Sequence, residues 1–309
     1  MKVDRSLIVR HYREEASVTK PDLPFNLRAF TLTNSALGLG DCVILTDITR
    51  AAANKGTSVG VFSQSKHFPI LFSFNPYYQV EARSPFQVAA DLVCRRFNVG
   101  NGHFIQRIRR AYDFPLELAP RGTLEVPGIN TIPGSAVLHF EAGAHAAWQR
   151  THIHPRAREV YAESLQIIQD FVLERRSMSF AQVGISPPHL EGVEDWTGTP
   201  LKDVIRKMAS AEYFIGINSG PLHVAAALGL KVIAIVNFPD ARKIVLPVIK
   251  DVPVVDAEWL YPQSVILHQD ADGPIVRRLS SRSLRQAVDG ELYPYWSDTY
   301  LDLILERNG

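Results

Sequence analysis

Residues 196–238 read WTGTPLKDVIRKMASAEYFIGINSGPLHVAAALGLKVIAIVNF, and the order of elements within them decides the fold class. Residues 200–211 carry apolar side chains at helical spacing, and Tyr213–Ile217 is a short continuous apolar run. Residues 221–228 open on a proline and continue through alanines, and 231–237 are apolar again. Short apolar strands without a polar face, alternating with helices, predict a parallel sheet covered on both sides. The same rhythm extends towards the N-terminus: AVLHF at 136–140 and FAQVGI at 180–185 read as strands, and 156–176 as a long helix between them. The second half is therefore expected to be a doubly wound sheet.

The first half opens in the same way. AFTLTN at 29–34 has strand character, SALGLGD is a glycine turn, ILTDITRAAANKG is helical in spacing, and SVGVF at 58–62 is a second strand. Residues 65–127 hold HFPILFSFNPYY, the helical pattern FQVAADLVCRRF and the glycine-bearing VGNGHFIQRIRRAYDFP, all assigned to the rest of the first sheet. RGTLEVPGINTIP at 121–133 is rich in Gly, Pro and Thr and aperiodic, as interdomain linkers are. The expected domains are 1–128 and 129–285, both Rossmann-like α/β. Residues 286–309, which finish with ELYPYWSDTYLDLILERNG, are expected to end in an amphipathic helix that packs on either half or crosses back to the first.

Composition narrows the function classes. The 309 residues are 46% apolar and 21% charged, ordinary for a globular chain of two domains. Lys plus Arg number 33 against 32 Asp plus Glu, which gives no bulk field for nucleic acid. The two cysteines, Cys42 and Cys94, have no CxxC or Cys/His spacing, so neither a zinc site nor a disulfide framework is expected and a reducing cytoplasm is the simplest setting. The charged N-terminal stretch lacks the pattern of a signal peptide, and no apolar run reaches the ~18 residues of a membrane span.

Two constellations carry chemistry. Gly38, Gly40 and Asp41 follow the first strand, where glycines let the backbone turn and approach a ligand while the next helix offers free N–H groups. Asp41 reads either as a cap on that helix or as a general base for an attacking hydroxyl. A dinucleotide fingerprint is incomplete because Val43 occupies the third glycine position, and the second strand ends in Gln64 without the acid that would hold a ribose. In the second half, the strand ending at Ile217 leads to Asn218, Ser219 and Gly220, and His223 follows near the start of a helix. Small polar residues and open amides there suit a diphosphate or ribose, and they equally suit an ordinary strand-to-helix turn.

Other residues carry weaker signals. His145, His152 and His154 have no nearby acid or Cys to complete a metal site. His103, in GNGHF, reads as lining a cleft or as a surface-loop histidine. Asp270 and Asp272 read as a polar turn, and residues 277–285 as a solvated basic helix face or an approach for an anionic acceptor. No metal site is expected.

Together these segments resemble the ADP-heptose:lipopolysaccharide heptosyltransferase family of inverting GT-B glycosyltransferases. GLGDCVILTDITRAAANKG is similar to the family's opening loop and helix. SVGVFSQSKHFPILFSFNPYYQVE is similar to its next strand and "NP" segment, and residues 196–238 follow its donor-domain run without a gap. The resemblance covers about Phe30 to Asp270. It implies a GT-B fold of two Rossmann-like domains facing across a cleft. It further implies Asp41 as catalytic base on a loop shaped by Gly38 and Gly40, with Asn218, Ser219, Gly220 and His223 holding the donor. Two departures stand out: Asn218 replaces the family's Asp, and HFEAGAHAAWQRTHIHPR at 139–156 replaces its Lys-x-Trp-Pro phosphate contact. Trp148 lies in the equivalent region, with Arg150 or Arg156 as the cation.

What the resemblance implies is a metal-independent transferase without a cofactor, its donor a nucleotide-diphosphate sugar such as an ADP-linked heptose or another hexose-like sugar. Its acceptor would be a hydroxyl of a glycan, lipid-linked glycan or protein. The setting would be cytoplasmic, with peripheral contact to the inner face of the membrane if the acceptor is lipid-linked. The competing class is a non-catalytic GT-B relative that binds a nucleotide-sugar or glycan.

Overall fold

A computed structural model describes residues 29–34, 38–56, 58–78, 87–89, 103–111, 121–141, 158–185, 190–237, 260–261, 263–270, 277–292 and 294. The chain divides into two compact units between Pro127 and Gly128.

The first unit contains β1 (Ala29–Asn34), α1 (Leu39–Asn54), β2 (Ser58–Ser63), α2 (Phe68–Phe72), β3 (Gln87–Ala89) and α3 (Phe104–Ala111). Its three strands are parallel in the order β2-β1-β3, so the loop after the central strand β1 leads directly into α1. Part of the stretch expected to be helical, FQVAADLVCRRF, is a strand instead: Gln87, Val88 and Ala89 pair with Thr31, Leu32 and Thr33. A short apolar run fits either period, and here the open edge of β1 selects the strand. The pattern FIQRIRRA is helix α3, with Ile105 and Ile108 fully buried.

Helix α1 is buried almost continuously from Cys42 to Thr49, so it forms the centre of this unit. Asn75, in the NP segment, donates its amide to the Thr46 carbonyl at 3.0 Å and to the Thr49 hydroxyl at 2.8 Å. Thr46 in turn accepts the Thr123 N–H at 2.8 Å. The polar side chains of α1 thus fasten loops distant in sequence. Phe68, Phe72 and Tyr78 form an aromatic cluster, with centroids 4.3 to 5.9 Å apart.

The second unit contains β4 (Ser135–His139), α4 (Ala162–Glu174), β5 (Ser179–Gln182), β6 (Glu194–Asp195), α5 (Leu201–Met208), β7 (Tyr213–Ile217), α6 (Gly220–Leu228), β8 (Lys231–Val236), β9 (Val265–His268), β10 (Arg277–Arg278) and α7 (Ser281–Val288). Its strands form one parallel sheet in the order β10-β9-β8-β7-β4-β5-β6. Every residue of β4 and β7 is buried, as in strands covered on both faces. Chain order reverses between β4 and β7, the doubly wound arrangement whose switch point is the usual ligand crevice.

Gly216 lies at this switch, paired with His139. A Cβ at this position would run into the His139 carbonyl, which is why the apolar strand YFIGI carries a glycine. Buried Ile215, Ile217, Ile233, Ile235, Leu138, Phe171 and Phe180 make up the core. Each large side chain contributes about 1.5–3 kcal/mol by leaving water.

Two element ends and one helix face differ from the sequence reading. Helix α4 begins only at Ala162, because Arg158 adopts a left-handed φ of 51° and residues 159–161 are held by side chains of other strands. Strand β5 stops at Gln182, and Ile185, at 83% exposure, has left the sheet. Helix α7 is not a solvated face alone, since Leu284, Ala287 and Val288 join the core of this unit and Ser280 closes a capping box with Ser283. Of the expected C-terminal helix segment 286–309, residues 286–288 complete α7, and residues 293 and 295–309 lie outside the described residues. No helix among the described residues is long and apolar enough to cross a membrane.

Candidate functional site

In the second unit the carboxyl end of β7 passes into α6 through Asn218 and Ser219. Ser219 is the N-cap in extended conformation, φ −154° and ψ 177°. Its hydroxyl donates back to the Ile217 carbonyl at 3.2 Å and does not cap the helix. Gly220 and Pro221 begin the helix and are half-buried, whereas Asn218, Ser219 and His223 are buried. A ligand arriving here therefore meets the first turn's backbone before it meets those side chains. The positive end of the α6 dipole and the amides of its first turn favour an anion.

Asn218 is 1% exposed, and its Nδ2 has no hydrogen-bond partner among the described residues. A buried donor without an acceptor is uncommon and costs about 1–3 kcal/mol. His223 is held beneath the turn by Tyr261, whose hydroxyl lies 2.8 Å from Nδ1 and whose ring meets the imidazole edge-on at 5.5 Å. Burial, reinforced by the positive charge of Arg158, pushes His223 down to about 3, so the imidazole is neutral. Tyr261 and Arg158 are the residues that sequence reasoning missed. Neither has a motif, and both are brought to α6 by the sheet.

The neutral His223 has a consequence for stability. The unfolded chain takes up this proton near 6.5 and the folded chain only near 3. The stabilisation is therefore complete above pH 6.5 and lost as pH falls towards 3. His139 and His268 are also lowered, chiefly by burial, and act in the same direction. Urea midpoints are expected to fall steeply between pH 7 and pH 4, and the His223→Gln variant should show a visibly shallower fall. At about 1.4 kcal/mol per pKa unit the difference amounts to several kcal/mol at the acid end.

At the carboxyl edge of β8 and β9, a polar clamp fixes the segment before α4. Asn237 and Gln269 donate to the Glu159 carbonyl at 3.1 and 2.9 Å, and Gln269 accepts the Tyr161 N–H at 2.8 Å. The Tyr161 hydroxyl donates to Asp270 at 2.8 Å. Asp270 is thus engaged by a tyrosine, while Asp272 lies outside the described residues. So do Trp148, Arg150, Arg156, His145, His152 and His154. Among the described residues, no group of three or more His, Cys, Asp or Glu is placed to hold a metal.

In the first unit, Gly38 is the N-cap of α1, Gly40 lies in its first turn, and Asp41 follows at the third helical position. A side chain on Gly38 would meet an Asp41 carboxylate oxygen at 2.5 Å, so the carboxylate folds back over the start of the helix. This is the position of a first-turn acid favoured by the helix dipole. Asp41 is also half-buried, open to solvent at the carboxyl end of β1. Beside it, burial pushes the Cys42 thiol up to about 11 despite hydrogen bonds with Ser63 and Ser65, so it is an inert neighbour. His103 is 1% exposed and not a surface-loop residue: its Nδ1 accepts the Ile105 N–H at 3.2 Å, and its backbone N–H donates to Gln106 Oε1 at 3.2 Å. That geometry secures the start of α3.

Residues 196–247 match the model of glycosyltransferase family 9 (heptosyltransferase). No curated protein matches the chain. Among solved structures, the glycosyltransferase family 9 protein of Veillonella parvula is 10% identical and superposes with a TM-score of 0.55, over 92% of this chain and 99% of that one. The E. coli heptosyltransferase WaaC, solved with ADP, is 12% identical with a TM-score of 0.51, over 85% of this chain and all of that one (100%). The dodecameric iron-containing heptosyltransferase TibC, solved with ADP-D-beta-D-heptose, is 14% identical with a TM-score of 0.46 over 68% of this chain. The chain spans 59% of TibC's length. The chain shares its α/β fold with these two solved glycosyltransferases.

Proposed function

We propose that the chain is a heptosyltransferase-like glycosyltransferase that moves a sugar from a nucleotide-diphosphate donor to a hydroxyl acceptor with inversion. The observation that carries this reading is the half-buried N-terminus of α6 at the switch point of the parallel sheet, inside the segment that matches family 9. Helix dipole, first-turn amides and a neutral His223 make a place for a diphosphate without electrostatic penalty. Asp41 is assigned as general base.

In the reaction, Asp41 takes the proton of the acceptor hydroxyl as its oxygen attacks the anomeric carbon. The bond from that carbon to the donor's phosphate oxygen breaks, and its electron pair leaves with the nucleoside diphosphate. The attack comes from the face opposite the leaving group, so configuration inverts. The second reading, a non-catalytic binder, is favoured by the Asp41 geometry, because a carboxylate lying over its own helix start also serves as a first-turn cap.

A thermal-shift screen with ADP, UDP, GDP and their sugars tests the donor assignment. ADP comes first, since WaaC was solved with it. A bound nucleotide at about 100 times its Kd raises stability by about 2.7 kcal/mol, readily seen as a higher Tm. No shift with any of them removes the donor reading. Binding without turnover of any sugar donor favours the binder.

A further inference from the structure

We propose that Arg158 is the cation that meets the donor's diphosphate at the N-terminus of α6, a residue outside every motif of the chain; the inference rests on the donor reading above. Three observations on the second unit lead to it. First, Arg158 is a non-glycine residue with φ 51°, in the left-handed region. Backbone strain of this kind costs of order 1 kcal/mol or more and persists where the surroundings impose it. Second, the surroundings that impose it are visible. The next residue, Glu159, is clamped through its carbonyl by Asn237 and Gln269, both buried, at the ends of β8 and β9. Strand β8 is the direct neighbour of β7, whose end carries Asn218 and the start of α6. The clamp therefore sets the backbone of Arg158 at the carboxyl edge of the sheet, at the end of the strand next to the one that carries the proposed donor turn. Third, that turn has a buried donor without a partner among the described residues, Asn218 Nδ2, at the start of a nine-residue helix. An orphan donor beside a helix N-terminus calls for a ligand rich in acceptor oxygens.

The turn itself carries no charge: Asn218 and Ser219 are neutral, and burial keeps His223 neutral. As the bond between the anomeric carbon and phosphate oxygen breaks, its electron pair settles on the departing diphosphate. A guanidinium fork spreads that charge over two N–H···O bonds without transferring a proton. The clamp on the Glu159 carbonyl fixes the backbone from which the half-buried Arg158 extends, which limits the reorganisation that role requires.

The test separates this role from a structural one through the backbone. Because φ is left-handed, Arg158→Gly relieves strain, so the ligand-free variant should melt no lower than the wild type. Its affinity for ADP, UDP or GDP, whichever binds the wild type, and for inorganic pyrophosphate should fall at least about tenfold by calorimetry. Arg158→Lys should recover part of the loss, with a stronger dependence on salt. Affinities of the Gly variant within twofold of the wild type overturn the role of Arg158 while leaving the donor reading intact. A Gly variant that fails to fold also overturns it, since the arginine then serves the fold. Absence of any binding by the wild type sinks the donor reading itself.

Discussion

Asp41→Asn is expected to lower sugar transfer at least about a hundredfold while leaving nucleotide affinity within about twofold of the wild type. The substitution keeps the size and hydrogen-bonding shape of the side chain at the third position of α1 and removes its capacity to accept a proton. Loss of the first-turn charge costs stability only about 0.3–1 kcal/mol. A small change in Tm with a large change in kcat therefore identifies a base. A change in Tm alone identifies a cap. Steady-state kinetics with a saturating donor, together with calorimetric titration of the nucleotide, distinguish the two. Retained turnover in the Asn variant would return Asp41 to the helix-cap role that its position over Gly38 also supports.

Arg109→Ala should give the largest loss of stability, up to about 3–5 kcal/mol, because it takes from a fully buried carboxylate the partner that engages both its oxygens and leaves it only Arg50 among the described residues. Asp47, in the middle of α1, and Arg109, in α3, are both fully buried, with bonds of 2.9 Å from Nε and 2.6 Å from Nη2 to the two carboxylate oxygens. Arg50 adds a bond of 2.7 Å to the same carboxylate. Replacing both partners, as in Asp47→Leu with Arg109→Met, should recover much of the loss, since a matched apolar pair avoids desolvating two charges. The readout is built into the sequence: all 4 tryptophans lie beyond residue 128, so their fluorescence reports the second unit. Urea unfolding of Arg109→Ala should shift the far-ultraviolet dichroism midpoint and leave the tryptophan transition in place. A shift confined to the tryptophan transition would contradict this account.

The parts of the site legible in the sequence are those made by consecutive residues. The glycine bend with Asp41 and the turn from Ile217 to His223 each combine a strand end, small residues and a helix start within about a dozen positions, so local chemistry exposes them. Arg158 and Tyr261 were not legible. Arg158 sits in a segment that reads as the start of a helix, and only the clamp by Asn237 and Gln269, 78 and 110 residues away from Glu159, holds it out of that helix. Tyr261 reaches His223 across 38 residues. His103 shows the reverse case, where a glycine-flanked histidine that reads as surface or cleft is drawn into the core by bonds at the start of α3.

By itself, the sequence determined the alternation of strands and helices in both halves, because burial on both faces of a parallel sheet writes continuous apolar runs such as YFIGI and KVIAIV that local periodicity preserves. Only the tertiary structure decided that QVA joins β1 as a strand, that chain order reverses between β4 and β7, and that Asp47 finds Arg109. Each of these is a pairing between distant segments, whose free energy comes from desolvation and hydrogen bonds that no single stretch of chain contains.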